Sequence, residues 1–330
     1  MSQIILTGVG DPASNLRLAD PELKVGAEDV LLRMEAAPVN PVEYLFSNGW
    51  YGVPPRISEP IGSEGVGRVA EVGTAADQSL AGKRVVVLGN YEQGVWGDTV
   101  VVPAHNVVVV PEGIDGLQLA MSVVNPVTAY LLLNNYVELK PGDWIGQTLG
   151  NSTVARAVYA LARLAGIRTL SVVRTEKAAA EAREAGGDVV LVDGEDLADR
   201  VVEALGGAQL RLVLDGEGNT TAGALAGVTE PGGAIVAYSS TTNELPQLPL
   251  GPFVYGGQSL HGFWVVNWFA TAGREEIERV VGEVVDMVGR GMLTVPVDST
   301  FDFTRYEEAL ARQVSPERTG KVLLTFGDQA

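Results

Sequence analysis

At 330 residues the chain exceeds the ~250–300 residues at which a single hydrophobic core stops growing, so two domains are expected. Hydrophobic residues at 46% against 19% charged give a globular composition; no apolar run is long enough to cross a bilayer, and the start MSQIILTGVG lacks a signal peptide's basic, extended apolar pattern, which points to the cytoplasm. With no cysteine and 2 histidines the chain has no disulfide and no thiolate-held zinc or iron–sulfur site, and a formal charge of −18 argues against nucleic acid, whose phosphates need a basic footprint.

Residues 1–118 carry short β-rich runs, Val66 to Val72, Arg84 to Leu88, Thr99 to Val102 and Val107 to Val110, separated by Gly and Pro turns. They predict a β-rich domain. From Leu119 to Gly291, helical patterns alternate with apolar strands such as Val189 to Val192, Leu210 to Leu214 and Ala234 to Tyr238, as a doubly wound α/β sheet requires. Beyond Met292, VPVDSTFDF, Tyr306 to Arg312 and KVLLTF read as strand, helix and strand. A last strand returning to the first domain makes 119–291 an insertion in a domain built from 1–118 and 292–330, with a substrate cleft expected between the two.

Within the insertion, Trp144 to Leu149 is short and mostly apolar and Thr169 to Val173 is rich in β-branched residues, which predicts neighbouring parallel strands. Between them Val154, Ala157, Val158, Leu161, Ala162 and Ala165 recur at three- and four-residue steps and so share one helix face. Gly150-Asn151-Ser152-Thr153 joins strand to helix, and its amides and the helix N-terminus would face a pyrophosphate. Arg174 lies at the ~20-residue spacing of the group that reads the ribose 2′ position, where an acid favours NAD and an arginine the 2′-phosphate of NADP. The unit therefore predicts NADPH, although an ordinary βαβ unit with a surface arginine has the same pattern and Thr153 and Ala155 break a full G-x-G-x-x-G.

The chain resembles the zinc-independent medium-chain dehydrogenase/reductases, and within them the mitochondrial-type trans-2-enoyl-thioester reductases. The resemblance runs over nearly the whole chain, through Asn40-Pro41 with Gly49-Trp50-Tyr51-Gly52, Gly62-Ser63-Glu64-Gly65-Val66-Gly67, Asn125-Pro126-Val127-Thr128-Ala129-Tyr130, Lys140-Pro141-Gly142-Asp143, Asn151-Ser152, Val172-Val173-Arg174, and Gly262-Phe263-Trp264 with Trp268. It implies a GroES-like β-rich catalytic domain and a Rossmann nucleotide-binding domain. The zinc branch carries a histidine ligand between the glycine and glutamate of Gly62 to Glu64; here that position is Ser63. Without that Lewis acid another electrophilic device is needed. The resemblance supplies Tyr51, whose phenol can donate to a thioester carbonyl as charge builds there and can protonate the α-carbon.

The resemblance also implies cofactor contacts for Asn125 and Thr128 near the nicotinamide, for Gly150, Asn151, Ser152, Thr153 and Val154 at the turn, for Tyr238, Ser239 and Ser240 at a strand end, for Phe263, Trp264 and Val265, and for Lys321. The plain alternatives are helix capping by Asn125 and Thr128, a polar loop, a packed aromatic strand and a solvated lysine. Phe263 to Val265 further resembles a segment that pairs subunits, so a homodimer joined sheet edge to sheet edge near Gly262 to Val266 is expected. The turn departs from the family's Ser-Gly-Val-Gly at Thr153 and Ala155, Arg156 follows as either a phosphate partner or a solvent-facing side chain, and Trp96-Gly97 lacks the family's arginine. The expected activity is NADPH-dependent reduction of an activated C=C bond in a small-molecule substrate, most specifically an enoyl thioester. A quinone or alkenal reductase, or a sensor or crystallin-like NADPH-binding protein without turnover, remains open.

Overall fold

A computed structural model describes residues 1–241 and 245–327. The chain forms two units, Met1–Val124 with the chain from Val265 onward, and Asn125–Trp264. The first contains β1 (Gln3–Leu6), β2 (Leu16–Ala19), β3 (Asp29–Pro38), β4 (Gly65–Val72), β5 (Arg84–Val87), β6 (Thr99–Pro103) and β7 (Val107–Val109). The second holds β8 (Trp144–Gln147), β9 (Arg168–Val173), β10 (Val189–Val192), β11 (Leu210–Asp215), β12 (Thr229–Ala237) and β13 (Ser259–Gly262), after which the chain returns with β14 (Val297–Asp302) and β15 (Lys321–Thr325).

In the first unit a seven-stranded sheet runs β14-β15-β3-β4-β5-β7, with β6 also on β3. Every residue of β5, RVVV, is buried, which is why that run is almost wholly β-branched. The expected closing strand is β15: Leu323, Leu324 and Thr325 pair antiparallel with Pro38, Ala37 and Ala36 of β3. The division differs from the one expected at 118 and 292. Val123 and Val124 stay with the first unit because their amides donate to the buried Glu64 carboxylate, at 3.1 and 2.8 Å. The helix Arg274–Gly289 also belongs there, with the Arg274 guanidinium donating to the carbonyls of His105 and Val107 at 2.8 Å each.

The second unit is a six-stranded sheet in the order β10-β9-β8-β11-β12-β13, parallel throughout. Helices between successive strands cover it, and the winding reverses between β8 and β11, where open α/β sheets bind ligands. The helix Thr153–Leu164 buries Val154, Ala157, Val158 and Ala162 as its spacing predicts, and adds Ala155 and Tyr159. Ala165 falls outside the buried stripe because it caps the helix and is exposed. The strand expected over Gly262 to Val266 stops at Gly262. Val265–Thr271 is a helix because Val265, Val266 and Phe269 are buried together at helical spacing. Among the described residues no helix is long and apolar enough to cross a membrane.

Candidate active site

The nucleotide turn begins where β8 ends. Leu149 takes a left-handed φ of 49°, a conformation costly for a γ-branched residue, and the Gly150 amide donates to the Val172 carbonyl at 3.1 Å. Ser152 caps the following helix by accepting from the Ala155 amide at 3.1 Å. The amides of Asn151, Thr153 and Val154 donate to no described residue, so this end of a twelve-residue helix presents open donors. Tyr159 supports the turn from beneath, its hydroxyl donating to the Gly150 carbonyl at 2.7 Å and joining Ser171 Oγ at 2.8 Å. A Cβ on Gly150 would fall 2.8 Å from Ser171 Cβ and 3.0 Å from the Tyr159 hydroxyl, so only glycine fits over this support. Asn151 is held sideways, Nδ2 donating to Glu181 Oε2 at 3.0 Å.

Two further strand ends meet the turn. Asp215, at the end of β11, accepts from Thr148 Oγ1 at 2.8 Å and from the Glu217 amide at 3.0 Å, fixing the loop beside Leu149. Tyr238, just past β12, lies against Gly216, where a Cβ would approach its hydroxyl to 2.6 Å. That hydroxyl is enclosed and lies beside the Ser152 side chain without a well-formed hydrogen bond; burial pushes its ionisation well above the ordinary phenol range. Ser239 and Ser240 follow, exposed. Arg174 stands exposed at the end of β9, and no described carboxylate forms an ion pair with it. Asn125 opens the helix Asn125–Asn134 with its Nδ2 enclosed and unpartnered among the described residues, and Thr128 is buried one turn on. The Phe263 amide donates to the Ala237 carbonyl at 2.8 Å, which ties Phe263 and Trp264 to the end of β12. Val265 is buried in the first unit as the start of its helix.

Open amides, a glycine cradle and enclosed donors without partners suit a dinucleotide bound at Gly150 to Val154, Asn125, Thr128, Tyr238 and Arg174. Sequence reasoning missed Asp215 and Thr148. Their signal is an acid at a strand end before Gly216-Glu217-Gly218.

The first unit carries a second constellation. Asn40 precedes the helix Pro41–Ser47, and Glu43, three residues on, reaches back to accept from the Asn40 amide at 2.6 Å, one arm of a capping box. The other Glu43 oxygen accepts from the Ser63 hydroxyl at 2.7 Å and the Ser63 amide at 3.0 Å. Glu43 is fully buried, and the loss of water raises its pKa to about 7 despite these donors. Glu64 is also buried and its pKa raised, chiefly by burial; it accepts from Val123, Val124 and Asn40 Nδ2. Lys321 Nζ donates to Asn40 Oδ1, and burial lowers its pKa against the attraction of Glu64 and Glu43. Lys321 is therefore an interior member of this network and not the solvated lysine of the plain alternative. Tyr51 is half-buried, its ring 5.1 Å from that of Tyr91 at 53°. Tyr91 has φ 61° and an enclosed hydroxyl lying beside Ser63 without a well-formed hydrogen bond. Glu43 and Tyr91 were not singled out from the sequence. Glu43 was findable from capping-box spacing, whereas nothing local marks Tyr91.

The zinc-binding dehydrogenase family matches residues 153–286 and the alcohol dehydrogenase GroES-like domain family matches residues 26–112. The mitochondrial enoyl-(acyl-carrier-protein) reductase of Rattus norvegicus is 30% identical over 323 residues, spanning 96% of this chain and 86% of that protein. A solved mycobacterial quinone oxidoreductase superposes with a TM-score of 0.88 at 27% identity, covering 98% of this chain and 99% of that one. The mitochondrial 2-enoyl thioester reductase heterodimer from Candida tropicalis superposes with a TM-score of 0.84 at 21% identity over 98% and 99% of the two chains, a likeness of fold. The zinc family's name does not carry its ligands across. This chain has no cysteine, Ser63 stands between Gly62 and Glu64, and among the described residues no group of three or more His, Cys, Asp or Glu is placed to hold a metal ion.

Gly150→Ala forces the added methyl against Ser171 and Tyr159. It should destabilise the protein by roughly 1–3 kcal/mol and weaken NADPH binding in a fluorescence titration. An unchanged dissociation constant would remove Gly150 from the site.

Proposed function

Because the chain belongs to the medium-chain dehydrogenase/reductase superfamily, in the family of the mitochondrial enoyl-(acyl-carrier-protein) reductases, we propose that it reduces the conjugated double bond of a trans-2-enoyl thioester with NADPH. The observation that carries this reading is Tyr51, a half-buried phenol packed on Tyr91 in the unit where Ser63 takes the place of a metal ligand. A bound nicotinamide supplies the hydride that goes to the β-carbon. Negative charge then builds on the thioester oxygen and α-carbon, where Tyr51 donates a hydrogen bond and then its proton. With the cofactor bound, the open amides of Asn151, Thr153 and Val154 would hold the pyrophosphate, Arg174 would pair with the 2′-phosphate, and Asn125 and Thr128 would orient the nicotinamide end. A quinone or alkenal reductase is the second reading, favoured by the likeness to the mycobacterial quinone oxidoreductase; that chemistry requires no proton-donating tyrosine.

A homodimer fits the exposed edge of the second unit. Among the described residues β13 has a strand neighbour on one side only, and in the helix Leu250–Gly256, which packs on β12, Leu250 and Tyr255 are 74% and 91% exposed. Light scattering should give twice the chain mass at working concentration, and a monomer there removes the dimer. With crotonyl-CoA and NADPH, Tyr51→Phe should lower kcat by about 10²–10³-fold. Turnover unaffected by that change, or activity confined to quinones and free enones in a substrate panel, favours the second reading. Arg174→Ala should weaken NADPH by about tenfold, the worth of roughly one charge-assisted hydrogen bond, and leave NADH nearly unchanged. Equal effects on both nucleotides would contradict the 2′-phosphate assignment.

A further inference from the structure

Tyr51, once it has given its proton to the α-carbon, must recover one, and the side chains behind it are arranged to supply it. Tyr91 packs at a tilt against Tyr51 and Phe46, at ring separations of 5.1 and 5.3 Å and interplanar angles of 53° and 35°, and its hydroxyl is enclosed beside Ser63 without a hydrogen bond at rest. Ser63 is 1% exposed and its hydroxyl lies 2.7 Å from Glu43 Oε1. Tyr91 is held there by a backbone in the left-handed region, at φ 61°, which is a cost for an aromatic residue. A ring needed only for packing could be presented without that cost.

We propose that Glu43, Ser63 and Tyr91 form a buried proton relay that returns a proton to Tyr51 after each reduction, with Glu43 as its store and rotation of the Tyr91 hydroxyl, unbonded at rest, closing the line to Ser63 and to Tyr51. This rests on the role given to Tyr51 above. The phenolate left on Tyr51 takes the proton of the Tyr91 hydroxyl, Tyr91 takes that of Ser63, and Ser63 takes the carboxyl proton of Glu43. One O–H bond breaks and one forms at each hydroxyl, so the net change is one proton from Glu43 to Tyr51, leaving a carboxylate. The carboxylate recovers its proton from water by the same line in reverse once product leaves the half-exposed Tyr51.

The direction of the line depends on Glu43. Ionised, it accepts from Ser63, and Tyr91 can donate only inward, to the Ser63 oxygen. Protonated, it donates to Ser63, Ser63 to Tyr91, and the Tyr91 proton is left for Tyr51. The charged and titratable groups around Glu43 are Tyr44 on its own helix with Asp11 beyond it, Tyr91 across from it, and Glu64 and Lys321 behind Asn40, with Arg318 near Lys321. The raised carboxyl, with a pKa of about 7, keeps a protonated fraction at neutral pH, and that fraction falls as pH rises through this value.

The test is the pH profile of kcat, with Tyr91→Phe, Glu43→Gln and Glu43→Asp beside wild type. Wild type should lose kcat as pH rises through about 7. Tyr91→Phe and Glu43→Gln should lower kcat by about tenfold at neutral pH with KM little changed, and should abolish that inflection, since water then supplies Tyr51 directly. Glu43→Asp should restore an inflection at a displaced pH. An inflection surviving in both Tyr91→Phe and Glu43→Gln overturns the relay. Infrared titration of the carboxyl band that Glu43→Gln removes gives an arm independent of turnover, and Tyr91→Phe should move its midpoint. If wild type reduces no enoyl thioester, the assigned substrate falls while this arm still decides the coupling, and a midpoint indifferent to Tyr91→Phe overturns it.

Discussion

Glu43 and Glu64 are withdrawn from water on either side of Asn40, and the first unit is organised around the cost of placing them there. Removing an ion from water costs several kcal/mol even after relaxation, so each carboxyl must collect donors or give up its charge. Glu64 collects the amides of Val123 and Val124, which binds the chain leading into the second unit to the first. Asn40 gives Glu64 a side-chain donor and Glu43 a backbone one, and its oxygen takes the Lys321 ammonium at the start of β15. The closing strand, the helix Pro41–Ser47 and the loop holding Ser63 are thus tied at one point, by chemistry rather than apolar area. A single ammonium cannot neutralise both acids. The pKa of each is raised, and Glu43 is left as the group that can hold or release a proton near neutral pH.

The second unit meets a different constraint, the distance between helix and sheet beneath the turn that joins β8 to the helix Thr153–Leu164. Thr153 and Ala155 put Cβ atoms where the related enzymes commonly have glycines, and a wider gap is the obvious consequence. Ala155 is instead fully buried in a cluster with Tyr159, Val173, Ala178, Ala179 and Ala182. The neighbouring helix Glu176–Glu184 presents alanines there, so the space a glycine would have opened is supplied by the partner. The close approach that remains indispensable lies one turn earlier, at Gly150 over Tyr159 and Ser171. The altered motif moves the steric requirement without removing it.

What was legible in the sequence follows from how local each signal is. β-branched runs and a 3.6-residue stripe mark strands and the helix Thr153–Leu164 because burial of one face is written into neighbouring positions. The place of Arg174 at the end of β9 is readable because its distance from the turn is fixed by one βαβ unit. Phe263 to Val265 misleads because an aromatic and β-branched triplet looks like strand, whereas Val265 and Val266 pair inward with Phe269 along a helix. The burial of Lys321 is not legible because nothing near it in the chain announces two buried acids far off in sequence. Tyr91 is invisible for the same reason: its meaning depends on a positive φ and on partners at 43, 51 and 63, which only the fold assembles.

The charge of the chain bears on these sites less than its size suggests. With 41 acidic and 23 basic residues the molecule carries a field that opposes polyanions at long range. At physiological salt that field decays over about 8 Å, so a bound anion would feel chiefly the side chains within one such reach. Many of the basic side chains are already committed: Arg68 to Glu112, Arg84 to Glu35, Arg211 to Glu230 and Arg312 to Asp298. Arg174 has no carboxylate in ion-pair contact among the described residues, and it stands exposed at the end of β9. An uncommitted guanidinium on so acidic a surface is conspicuous locally because the rest of the molecule is negative, and a 2′-phosphate would be its natural counter-charge.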